Sequence, residues 1–345
     1  MLRWALLACS LPVSFTLTWL TRRFAKQAGM VDVPSHRSSH SIPTLRGAGA
    51  GFVLVALAWM LASVWLFDGN RPLWIGLLGG GLLVAVVGWT DDRKRLPSGL
   101  RLLFYGLAAA WTVGWLGGLP VVDLGVFKLH LGIFGAAVAW AWIFCFTNVY
   151  NFMDGIDGLA AGEGLAVSAA AGALLFLHGD QELALLCWVL SAALGGFIPW
   201  NWPPAKVFMG DVGSNFLGFL FASLAIASEN RGSLPVLIWG VLLLVFLVDG
   251  VSTFVLRLLR GERVSVAHRS HAYQRAVEAG SSHTQVTSAV LMLDGALIAL
   301  AFATQWHPCL LLPVLLSSTG LLFLIWLRFA RRKTGVRGGS ESDGL

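Results

Sequence analysis

Asn148, Asn151, Asp154 and Asp157 recur at intervals of three in the run NVYNFMDGIDGLA, residues 148–160. Residues three apart share a helix face, so the run can turn two amides and two carboxylates the same way. Oxygens of this kind suit a hard divalent cation that keeps water and phosphate in its remaining positions. A polar turn capped by Asp157 is the plainer reading, but it leaves carboxylates in a very apolar stretch with nothing to do. Gly155 and Gly158 let the backbone leave the helix there.

Other segments supply matching chemistry. GWTDDRKRLPSGLRLL holds Asp91 and Asp92, followed by Arg101. Neighbours on a helix point about 100° apart, so both carboxylates can reach one site only near a helix end. KVFMGDVGSNFLG places Asp211 beside Gly210 and Gly213, which allow close approach of a ligand. Each acidic segment taken alone also reads as ordinary helix-end charge or a cap. VDVPSHRSSHSIPTLRGAGAG contains Arg37, His40 and Arg46, and could be a solvated loop leading into a small-residue helix seam. Asp249 lies within an apolar run, where a charge is a site by default or a partner for an arginine. HRSHAYQRAVEAGSSH carries His268, Arg269, His271 and Arg275, which suit a cationic loop gripping phosphates better than a metal site. Carboxylates ringed by Arg and His fit a metal-bound polyphosphate, and phosphoryl transfer needs little beyond positioning and charge neutralisation.

The elements that must hold these groups are membrane spans. The 345 residues are 57% hydrophobic and only 12% charged, too few charges to cover a water-facing surface. Apolar runs near 20 residues recur along the chain. They predict an all-α, polytopic membrane protein with about eleven transmembrane helices. These lie near 2–20, 47–67, 73–89, 102–119, 129–149, 159–177, 183–199, 212–228, 234–256, 285–304 and 309–328. The first run lacks a clear cleavage site and ends in Arg22 and Arg23, so it reads as a retained span. Residues 1–330 form one transmembrane catalytic domain, and 331–345 a disordered cytoplasmic tail.

Alternate loops then divide the basic residues unequally. One side holds 20 of the 24 Lys and Arg; the other keeps only Arg3, Arg71, Lys128 and Arg231. The positive-inside rule places the N-terminus in the periplasm and the C-terminus in the cytoplasm. Topology therefore accounts for the pI near 9.5 without nucleic acid. The outer loops are short, and the inner loops hold the Asp, Asn and His clusters, so the site belongs at the cytoplasmic face. Cys9, Cys145, Cys187 and Cys309 sit singly in apolar runs, with neither metal spacing nor a disulfide framework. A transporter is the rival from another class. It would show intramembrane charges along a pathway and often inverted repeats, and no internal repeat stands out.

With these residues in hand, the chain resembles the polyprenyl-phosphate N-acetylhexosamine-1-phosphate transferases, which include the peptidoglycan phospho-N-acetylmuramoyl-pentapeptide transferase. The resemblance runs from about residue 30 to 285 and rests on four segments in order. They are Asp91–Asp92 with Arg101, the Asn-x-x-Asn-x-x-Asp-Gly-x-Asp-Gly run at 148–158, Met-Gly-Asp-x-Gly-Ser at 209–214, and the histidine loop after 268. Eleven spans with the tail inside look more like the surface-polysaccharide (O-antigen) branch than the peptidoglycan branch.

The resemblance implies that undecaprenyl phosphate attacks a UDP-N-acetylhexosamine in the inner membrane, releasing UMP. It implies Mg2+, with Mn2+ as a substitute, held by Asp211 and Asp154. Asp91, Asp92 and Asp211 would be catalytic. Asn148, Asn151, Asp154, Asp157, Arg101, His271, Arg269, Asp249, Arg37 and His40 would meet substrates. Membrane lipids, and a second copy in a homodimer, complete the partners it implies. One departure stands out: where that branch often has His-x-His-His, this chain reads His271-Ala272-Tyr273-Gln274. A phenol and an amide donate hydrogen bonds but carry no positive charge near neutral pH, which hints at a different sugar, such as a 6-deoxy N-acetylhexosamine.

Overall fold

The computed structural model describes residues 2–34, 42–262 and 268–330. Arg37, His40 and the 331–345 tail lie outside the described residues. The chain begins with helix α1 (Leu2–Gln27), a hairpin of β1 (Val31–Asp32) and β2 (Thr44–Leu45), then α2 (Ala50–Leu66), α3 (Arg71–Lys94) and α4 (Ser98–Leu116). A second hairpin, β3 (Val121–Asp123) and β4 (Lys128–His130), precedes α5 (Phe134–Phe152), α6 (Leu159–Leu177), α7 (Gln181–Asn201) and α8 (Asp211–Asn230). The remainder is α9 (Val236–Leu242), α10 (Leu244–Leu259), α11 (Ala272–Glu278), α12 (His283–Ala303) and α13 (Leu311–Ala330). Both hairpins are antiparallel, and they are the only sheets among the described residues.

The expectation of a polytopic helical protein holds, but the span count is smaller than eleven by length and composition. Eight described helices are long and apolar enough to cross a membrane, or nine if α9 and α10 count as one span bent by 83°. The α2 helix, at 17 residues, is short. The 19-residue α5 carries Asn148 and Asn151 near its end, which lowers its hydropathy. Large apolar side chains face outward on the peripheral helices, among them Trp65, Leu103, Leu316 and Leu324. Lipid can cover such a surface; water would not.

At the centre stands α8, buried along its whole apolar window. A helix apolar on every side needs neighbours on every side. It packs against α2, α3, α4, α5, α6 and α9. The approach of α3 is set by Gly88, where a Cβ would lie 2.6 Å from the Asp211 carbonyl oxygen and 2.7 Å from Val212 Cα. This contact brings the end of α3, with Asp91 and Asp92, against the start of α8. A Gly88→Ala change is expected to destabilise the protein by about 1–3 kcal/mol, because the obstacle is backbone and cannot turn aside. Gly114→Ala, in open space on α4, should leave the melting temperature within a degree or two of wild type. Thermal unfolding of both variants in detergent checks the pair.

Candidate active site

The first turn of α8 has no cap of its own, since Gly210 precedes it. Asp92 of α3 fills that role from outside. Its carboxylate accepts the Asp211 N–H at 2.8 Å and the Val212 N–H at 3.1 Å. An anion there also answers the positive end of the helix dipole. Gly210 has φ +76° and could carry no side chain, because a Cβ would meet Asp92 Oδ2 at 2.5 Å.

Two arginines bind this end together. Arg46 donates from Nε to Asp92 at 2.7 Å and from Nη2 to Asp211 at 2.5 Å. Backbone pairing puts it there: Phe208 N donates to Leu45 O at 2.7 Å and Ala48 N to Phe208 O at 3.2 Å, which lays the strand before α2 along the approach to Asp211. Arg101, in the first turn of α4, donates from Nη1 to Asp91 at 2.9 Å and to Asp211 at 2.8 Å. The second oxygen of Asp91 accepts the Leu96 N–H at 2.6 Å and so fixes the turn between α3 and α4. Adjacent Asp91 and Asp92 thus point apart, as a helix requires, yet both reach Asp211 through an arginine. Asn151 donates to Asp211 at 3.3 Å and to Ser214 at 2.8 Å.

Beside the array lies a cavity of about 260 Å³ whose lining includes Arg46, Asn151, Asp154, Asp157, Asp211 and Gln274. Asp154 makes no hydrogen bond or ion pair through its carboxylate with any described residue. Burial, and next the Asp211 carboxylate, raise its carboxyl well above the ordinary carboxylate range. Burial works against the charge on Arg46, but Asp211 and then Asp92 outweigh it and hold the guanidinium cationic. Asp157 accepts the Ala205 N–H at 3.0 Å and faces His283 Nδ1 at 3.3 Å.

Four expected residues lie apart from this centre. Asn148 turns back to the Phe144 carbonyl at 2.7 Å, within its own helix. Asp249 accepts Ala272 N at 2.9 Å and Tyr273 N at 3.3 Å, and so anchors the start of α11. His271 is buried 3.4 Å from Asp249, and its ring stacks on His268 at 5.0 Å between centroids. Arg269 lies 3.9 Å from Glu278. Burial and then the charges of His271 and Arg257 push His268 down to about 4, so it stays neutral near pH 7. Tyr273 joins this layer to the site loop by donating to the Phe152 carbonyl at 2.9 Å. Of the His271–Gln274 stretch, only Gln274 lines the cavity.

Sequence reasoning passed over Asp32, Arg46, Asn201, Gln274 and His283 as site residues, although all line the cavity. Arg46 and Gln274 had a visible signal, in one case a basic residue opening a glycine run, in the other a departure from a motif. Asp32 and Asn201 had none.

The model for glycosyl transferase family 4 matches residues 74–229. A Bacillus subtilis (strain 168) protein, described as a probable undecaprenyl-phosphate N-acetylglucosaminyl 1-phosphate transferase, is 30% identical over 313 residues, covering 86% of this chain and 84% of its own. The chain belongs to the polyprenyl-phosphate N-acetylhexosamine-1-phosphate transferases of glycosyl transferase family 4. A phospho-N-acetylmuramoyl-pentapeptide-transferase of Streptococcus equi subsp. zooepidemicus is 29% identical over 255 residues, covering 69% of this chain and 74% of its own. One from Streptococcus pyogenes serotype M5 is 32% identical over 225 residues, 60% of this chain and 65% of its own. The segment matched by the family model spans Asp91 to Asp211 in this transferase and leaves Arg46, Asp249, His271 and His283 outside.

The donor set is one a hard cation uses, although no group of three or more His, Cys, Asp or Glu among the described residues closes a metal site on its own. Magnesium is often held by one or two carboxylates plus water and substrate phosphate. A carboxyl raised in the fold costs stability as pH climbs from the ordinary carboxylate range toward its folded value. Asp154→Asn should therefore melt at a higher temperature than wild type at pH 7 in chelator. Added Mg2+ should raise the melting temperature of wild type and not of the variant. Equal Mg2+ shifts in the two proteins would remove Asp154 from the metal.

Proposed function

We propose that the protein transfers an N-acetylhexosamine 1-phosphate from a UDP-sugar to undecaprenyl phosphate at the cytoplasmic face of the inner membrane. The product would start a lipid-linked surface polysaccharide such as O-antigen. The observation that carries the reading is the Arg46–Asp92–Asp211–Arg101–Asp91 array, whose Arg46 and Asp211 line a cavity that also presents Asp154. Guanidiniums interleaved with carboxylates can hold phosphates and a divalent cation side by side. The longer match to the N-acetylglucosaminyl relative favours a small-sugar donor over a peptide-bearing one. The proposed topology keeps eleven spans, with α2, α5 and the bent α9–α10 pair each crossing, and the N-terminus outside.

In this reading an oxygen of the lipid phosphate attacks the β-phosphorus of the donor. A new P–O bond forms, the bond to the bridging oxygen breaks, and UMP leaves with that electron pair. Mg2+, held by Asp211 and Asp154, would neutralise charge on the diphosphate. Arg46 and Arg101 would bind the phosphates and offset the charge that builds on the leaving oxygen. Asp92 keeps α8 and Arg46 in register, and Asp91 orients Arg101. An already ionised lipid phosphate needs no general base.

Asp211→Asn is expected to abolish turnover in a folded, inserted protein. Asp91→Asn and Asp92→Asn should each cost at least about tenfold, the equivalent of about 1.4 kcal/mol of lost transition-state stabilisation. The assay is UMP release in detergent with undecaprenyl phosphate, Mg2+ and a panel of UDP-N-acetylhexosamines. Undiminished release by Asp211→Asn would refute the metal assignment. Release independent of the lipid would refute the acceptor.

A further inference from the structure

His283 opens α12 and has no part in the mechanism above. It lines the same cavity as Arg46 and Asp154. Nδ1 sits 3.3 Å from Asp157 Oδ1 and 3.5 Å from the Asp157 backbone nitrogen, so one residue meets that ring nitrogen through side chain and backbone. The other oxygen of Asp157 accepts the Ala205 N–H at 3.0 Å, and its carbonyl accepts the Thr287 hydroxyl at 2.9 Å. Asp157 is therefore engaged by protein through both carboxylate oxygens, which suits it to orient the imidazole more than to meet a ligand.

The helix carrying His283 is fixed as well. Ser282 accepts the Gln285 N–H at 3.2 Å and donates its own N–H to the Gln285 side chain at 2.8 Å, a reciprocal cap that sets where α12 begins. One turn on, Thr287 packs at Gly158, where a Cβ would lie 3.6 Å from its methyl. The imidazole is thus held by a carboxylate on a helix tied to the site loop. The two ring nitrogens are distinct, and a carboxylate at Nδ1 turns Nε2 to the opposite edge of the ring. Fixed imidazoles of this kind are how proteins present one oriented hydrogen-bonding nitrogen.

We propose that His283, oriented by Asp157, contacts the nucleoside-diphosphate sugar donor through Nε2. The inference rests on the transferase reading and adds a donor-binding residue to it. The donor is assigned here, and not the lipid, because the surrounding wall presents Asp154, the Gln274 amide and Arg46. These are hydrogen-bonding groups that match a sugar nucleotide and offer nothing to an isoprenoid chain. Asp157 is a positioning residue in this scheme.

Steady-state UMP release and calorimetric binding of UDP-N-acetylglucosamine, both on the full chain in detergent, test it. His283→Ala should raise the donor KM and Kd at least tenfold while kcat changes less than threefold and the KM for undecaprenyl phosphate stays put. His283→Gln places an amide nitrogen near the position of Nε2 and should recover much of the loss. Asp157→Asn should move the donor KM in the same direction by a smaller factor. The proposal is overturned if donor KM and Kd match wild type in His283→Ala. It is overturned too if both KM values and the melting temperature shift together in the Ala and Gln variants alike, which is a packing role. Wild type that binds the UDP-sugar but releases no UMP would refute the transferase reading and leave the binding comparison for His283 intact.

Discussion

The contact on which the site depends is the carboxylate of Asp92 against the first two N–H groups of α8. It caps the central helix, fixes the depth of α3 beside it and brings Arg46 onto Asp211. Each part of that contact excludes a side chain somewhere. Gly210 leaves room for the carboxylate, and Gly88 leaves room for the backbone behind it. A helix end buried without partners would be costly. Here the cap is supplied by a carboxylate that also holds Arg46 beside Asp211, so one group fixes both the helix start and the charged array.

Around this contact the molecule separates two kinds of order. The array of Asp91, Asp92, Asp211, Arg46 and Arg101 is rigid because every member has at least two partners or a backbone anchor. Asp154 differs, standing in the cavity wall with no side-chain partner among the described residues. A carboxylate kept in that condition is a cost to folding, and such costs gather where a ligand is to be met. The histidine layer is a third case. Asp249 anchors α11, Tyr273 reaches the Phe152 carbonyl, and Gln274 is carried to the cavity. The Tyr273 phenol is a strut between this layer and the site loop, and the Gln274 amide is part of the wall.

Much of this was legible in the sequence, for physical reasons. Apolar runs announce helices in lipid, and their polar interruptions announce a site, so Asp91, Asp92, Asn151, Asp154, Asp157 and Asp211 stood out by contrast with their surroundings. Arg46 showed only as a basic residue opening a glycine run, because its partner is 165 residues away and its placement depends on backbone pairing between residues 45–49 and 207–209. Asn148 shows the reverse failure. It fits the three-residue rhythm of its neighbours, but inside a helix its amide can also bond the carbonyl four residues back, and it does. The breaks in apolar pattern also blurred the span count, since α5 is polar where it meets the site and α9–α10 bends at Leu243.

The interleaving of charges has a consequence for how ligands depend on one another. Arg46 and Arg101 each bridge two carboxylates, and Asp211 is common to both. A phosphate that engages either guanidinium competes with those carboxylates for its protons and leaves them with charge to neutralise. A cation that engages Asp211 weakens its hold on both arginines and frees them for phosphate. On the proposed reading the two kinds of ligand would therefore favour each other through the same four bonds, and linkage requires the effect to be equal in both directions. An array of separate acidic and basic patches would bind each ligand independently. One built on a shared aspartate would bind them as a set, which is what the proposed reaction between two phosphorylated substrates would need before any bond is broken.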